Sequence, residues 1–104
     1  MTTTLPKGSI LLAESLLADP AQYKSVSEIM RASHLLEKLE TVTKKAPRKH
    51  EEGDKLNEWV KESVEIEITD AQKVLLYNSV ERNIGKIPAS VFAAKLGEFL
   101  GFES

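Results

Sequence analysis

Acid–base or metal chemistry in this chain would have to start from two histidines, His34 and His50, and sixteen carboxylates, because there is no cysteine. Thiolate nucleophiles, disulfides and cysteine-based zinc sites are thereby excluded. His34 lies beside Leu35 in a stretch of helical periodicity, and the only carboxylate three or four residues away is Glu37. An isolated histidine with one such neighbour reads as a core-flanking or surface side chain rather than a base or ligand. His50 belongs to a run of charged residues and reads as solvated. Glu62, Glu65, Glu67 and Asp70 form the densest acidic group, with Glu65 and Glu67 on one side of a strand-like alternation. Such a group could hold a hard cation or face a basic partner. The same pattern is what the wet side of a half-buried strand requires, and that reading is preferred.

No HExxH, glycine-rich phosphate loop or nucleophile elbow occurs. The glycines, Gly8, Gly53, Gly85, Gly97 and Gly101, are dispersed. The chain is therefore expected to have no catalytic activity, no metal and no cofactor. The residues suited to phosphate are Lys44, Lys45, Arg48 and Lys49, next to His50. Cations on an adaptable segment could neutralise a nucleic-acid backbone. Glu51, Glu52 and Asp54 follow at once and oppose the field, no aromatic interleaves for stacking, and the whole chain carries a net charge of −2. Nucleic-acid binding through the 44–50 segment is thus the alternative to the main reading.

The elements that must position these residues are mainly helical. Apolar residues make up 41% and charged residues 29% of 104 residues, which is enough for one globular domain and unlike a disordered chain. A single domain, residues 1–104, is expected, with a flexible N-terminal arm over 1–7 and a charged loop over 44–54. Helical spacing of Ile10, Ala13, Leu16 and Leu17 predicts a first helix over Ser9–Ala18, capped by Gly8–Ser9 and stopped at Asp19–Pro20. The same stretch, interrupted by Glu14 and preceded only by Lys7, is not expected to be a secretory leader. No apolar run approaches a membrane span. A cytoplasmic setting is expected, consistent with the missing cysteines.

Ser25 with Glu28 predicts a capping box at the start of a second helix. Its apolar stripe reads Val26, Ile29, Met30, Ser33, Leu36, Leu39 and Val42, widened by Leu35, with an end near Lys44–Lys45. Asp54 and the spacing of Leu56, Trp59 and Val60 predict a short helix over 55–61. Alternation of Val64, Ile66 and Ile68 with acids predicts a strand over 64–68. Thr69 with Gln72 predicts a second capping box and a third long helix. Its apolar side is read as Val74, Leu75, Tyr77, Asn78, Val80, Glu81 and Ile84, and it is closed by a left-handed Gly85. Pro88 is expected to open a last helix over 89–100, ended by Gly101 with Phe102 folded back.

One strand cannot satisfy its own backbone. Three partners are open to it: residues 86–87, the Thr2–Leu5 arm, or the same strand of a second copy. The last helix offers only Ser90, Lys95 and Glu98 as polar groups, too few to read base edges. Its bulk suits either the core or a partner protein. The main reading is a small, non-catalytic interaction, adaptor or accessory regulatory domain whose partner is a protein, with a homodimer as one form of it. Val64, Ile66, Ile68, Phe92, Leu96, Phe99, Leu100 and Phe102 are its candidate contact residues.

Overall fold

The computed structural model describes residues 2–43 and 57–102, and they are mainly helical. Strand β1 (Thr2–Pro6) leads directly into helix α1 (Lys7–Leu17). A 3-10 turn (Pro20–Gln22) connects to α2 (Val26–Thr43). Residues 57–59 make a helical turn, followed by β2 (Ser63–Glu67) and α3 (Asp70–Arg82). A second 3-10 turn (Ile84–Lys86) precedes α4 (Val91–Leu100). The 44–54 segment falls outside the described residues, as do Asp54 and Leu56 of the predicted short helix.

The strand finds its partner in the amino-terminal segment, which is therefore a strand and not a flexible arm. β1 and β2 are antiparallel, pairing Thr2 with Glu67 through Pro6 with Ser63. Ile84–Lys86 folds as a 3-10 turn, so 86–87 supplies no strand. Proline at the end of β1 has no N–H to donate, yet it does not break the continuity of the ladder. The next two amides carry it on, Lys7 N–H donating to Glu62 O and Gly8 N–H to Val60 O, both at 2.9 Å. These bonds also satisfy the orphan donors at the start of α1. That is why α1 begins two residues before the predicted Ser9, with Pro6 as its uncapped flank. Ser9 is instead buried, and its hydroxyl donates to Phe92 O at 2.7 Å, tying α1 to α4.

α1 is the central helix, packing on α2, α3, α4 and β1. Ile10, Ala13, Leu16 and Leu17 are buried as their spacing predicts. They meet Leu35 and Leu39 of α2, Leu76 of α3, Leu96 and Leu100 of α4, and Leu5, Ile66 and Ile68 from the sheet region in one core. At Gly8 the missing side chain lets Phe92 of α4 sit directly against α1.

Two helix ends differ from expectation. α3 closes at Asn83, with φ −116°, and Gly85 is not left-handed. α4 starts at Val91 because Ser90 Oγ accepts from Ala93 N–H at 3.1 Å, leaving Pro88 outside. At its other end Gly101 adopts φ 90°, and Phe102 N–H donates to Gly97 O at 3.0 Å, the closure glycine permits there. Phe102 folds back as predicted and stacks on Tyr77, with ring centroids 4.1 Å apart.

Candidate interaction surface

The rotation of α2 decides what the molecule shows to solvent. Its buried side runs through Ala32, Leu35, Leu39 and Thr43. The first half of the predicted stripe faces outward: Val26 is 72% exposed, Met30 56% and Ile29 47%. Two lines of residues competed for the core. The line with Leu35 and Leu39 wins because it places both leucines, 0% and 1% exposed, against α1. The helix start keeps one half of the predicted capping box and shifts the other. Glu28 N–H donates to Ser25 Oγ at 3.2 Å, while the Glu28 carboxylate accepts from Lys24 N–H at 2.9 Å, one residue earlier than a standard capping box.

Clefts flank α2 on both sides. Toward α3 lies a groove of about 230 Å³ whose apolar lining is Ala71, Val74 and Leu75. Glu28, Arg31, His34 and Arg82 form its charged rim, with Gln72 and Asn78. Val74 is 58% exposed there. Toward α1 lies a second cleft of about 200 Å³, lined by Leu17, Tyr23, Ile29, Ala32 and Leu36 among others. Tyr23 donates to Leu17 O at 2.6 Å, and burial pushes its phenol pKa up.

Arg82 is fixed in place. One guanidinium nitrogen donates to Gln22 O at 3.1 Å, and another lies 4.0 Å from Glu28. Behind it sits a buried polar cluster. Gln22 Oε1 accepts from Ser79 Oγ at 2.7 Å, and Asn83 Nδ2 donates to Ser79 O at 2.9 Å. This cluster explains why the buried side of α3 is Leu76, Ser79 and Val80 rather than the predicted side beginning at Val74. A polar cleft of about 330 Å³ opens beside it, bordered by Asp19, Lys24 and Lys86. Its charges are largely matched internally: Lys86 Nζ lies 3.0 Å from Asp19. That bond, helped by the Ala21 N–H, holds the Asp19 carboxyl below its usual pKa.

The residues singled out from sequence are distributed differently from the expectation. Ile66, Ile68, Leu96 and Leu100 are buried in this chain's own core. Val64, Phe92, Phe99 and Phe102 are half-buried. Phe92 covers Gly8, Phe99 lies under Lys73 Nζ at 5.2 Å, and Phe102 covers Tyr77. Glu65 and Glu67 are exposed, as the alternation predicts, and Glu62 pairs with Lys7 at 2.7 Å. Among the described residues no group of three His, Asp or Glu side chains converges as a metal site. His34 is exposed on the groove rim. Lys44, Lys45, Arg48 and Lys49 lie outside the described residues. Sequence reasoning missed Met30, Arg31 and Val74 as surface residues. The available signal was that the line through Val26 and Met30 continues into Ser33 and Glu37, which a core stripe would not.

Among the described residues no helix is long and apolar enough to cross a membrane. Comparison with protein-family models, with curated proteins and with solved structures finds no match to this chain.

Proposed function

We propose that this chain is a non-catalytic protein-interaction domain that docks a partner on the outward side of α2 and the adjoining α2–α3 groove. The observation that carries this reading is the exposure of Val26, Ile29 and Met30 on successive turns of one helix. Single exposed apolar residues need no explanation, but adjacent ones between two apolar clefts do. Their exposed area is on the order of 300 Å², at the lower end of the largest patches seen on monomers. Turning α2 to hide them would bring Leu35 and Leu39 into water, so the exposure is a consequence of the core.

Met30→Asp and Ile29→Ser test the proposal, because both positions are open enough for the fold to survive. Tagged wild-type and variant proteins, matched in circular dichroism and melting temperature, are used to capture proteins from the source lysate. A partner set retained by wild type and lost from both variants supports the reading. Identical sets, or none, would remove it.

A further inference from the structure

The chemistry of the α2–α3 groove narrows the kind of partner. This inference rests on the interaction reading above. With about 230 Å³ the groove is smaller than the roughly 300–1,000 Å³ of typical small-molecule pockets. It is large enough for one or two apolar side chains over Ala71, Val74 and Leu75. The rim is unequal in charge. Arg31 and Arg82 stand against one carboxylate, Glu28, and that carboxylate already accepts from Lys24 N–H and lies near Arg82. Arg31 makes no hydrogen bond or ion pair among the described residues and is exposed at the groove mouth. Lys38 extends the basic side, reaching Gln72 Oε1 at 3.3 Å. An apolar lining contributed by α3 and surplus guanidinium beside it fit an apolar segment flanked by carboxylates. The groove also runs between two helices, a geometry that receives a third helix through side chains spaced three and four residues apart.

We propose that the α2–α3 groove binds an acidic amphipathic helix of a partner protein. Its apolar residues sit over Val74 and Leu75, and its Asp or Glu residues pair with Arg31 and Arg82.

A displayed library of helical peptides, with fixed apolar anchors and randomised charged flanks, is selected against the full-length protein. Enrichment of Asp and Glu flanks is expected. The selected peptides should lose at least about tenfold in affinity with Arg31→Glu, as expected for a charge pair turned repulsive, and should not bind Val74→Asp. Variants of the selected peptides with lysine in place of the acidic flanks should show the reversed preference, binding Arg31→Glu better than wild type. Enrichment of basic or neutral flanks overturns the proposal, as does binding indifferent to both substitutions, or no enrichment at all. Light scattering distinguishes the remaining occupant: a dimer that Val74→Asp dissolves would make a second copy the ligand and overturn the acidic helix. If capture from lysate still depends on Met30 while the library shows no acidic preference, the interaction reading stands and this inference alone fails.

Discussion

Replacing Gly8 by alanine should destabilise the fold, although alanine is the better helix former. Gly8 is the second residue of α1, and intrinsic propensity would credit alanine with up to about 1 kcal/mol. The added Cβ would lie 2.6 Å from Phe92 Cδ1 and 2.7 Å from Cε1 and Cγ. These atoms are the near side of a ring, not the end of a flexible chain, so the ring must tilt or α4 must move. Movement of α4 is resisted at the same point, because Phe92 O accepts the Ser9 hydroxyl at 2.7 Å. Overpacking of this kind costs about 1–3 kcal/mol, which outweighs the propensity gain. The expected net loss is about 1–2 kcal/mol, or roughly 5–15 °C in Tm for a domain of this size. Thermal and urea unfolding of wild type, Gly8→Ala, Phe92→Ala and the double variant form a cycle that isolates the clash. In the Phe92→Ala background, Gly8→Ala should be neutral or stabilising. A Gly8→Ala protein with an unchanged or higher Tm would refute the argument that Phe92 is seated on the glycine.

Three other perturbations probe separate parts of the structure. Glu14 is pushed above its usual pKa by burial, a bond from Thr43 Oγ1 at 2.9 Å opposes this, and nearby Glu40 adds to it. A raised folded-state pKa stabilises below the unfolded value and loses that contribution as pH rises through the folded one. Glu14→Gln should therefore melt higher than wild type at neutral pH, with the gap closing as pH falls through the carboxylate range. A gap that stays constant or widens in acid would contradict the sign. Gln22→Ala removes the acceptor of Ser79 and leaves buried polar atoms without partners, so urea unfolding should report a loss of about 2–4 kcal/mol. A loss below about 1 kcal/mol would mean that water replaces the side chain. Thr69→Ala removes the hydroxyl that accepts from Gln72 N–H, leaving only the bond from the residue-69 amide to Gln72 Oε1, and should cost about 1 kcal/mol in the same assay, while Thr69→Ser should retain most of it.

Local chemistry made several elements legible in the sequence. The Thr69–Gln72 box, the left-handed Gly101, the fold-back of Phe102 and the alternation around Ile66 depend on neighbours within a few residues. In each the signal is local, although the strand around Ile66 still takes its hydrogen bonds from β1 and Phe102 its ring contact from Tyr77. The apolar residues of α1 were equally plain, because no second stripe competed with them.

What the tertiary structure decided were the matters that needed a distant partner. α1 begins at Lys7 because carbonyls of Val60 and Glu62, far along the chain, take its first amides. Ser79 and Asn83 face inward because Gln22, 57 residues before Ser79, meets their hydrogen-bonding needs. Burial of such groups is unfavourable unless satisfied, so periodicity read alone assigns them to solvent. α2 carried two plausible apolar lines, and packing into the shared core against α1 selected the one with Leu35 and Leu39. The rejected line, Val26, Ile29 and Met30, became the exposed surface on which the proposed function rests.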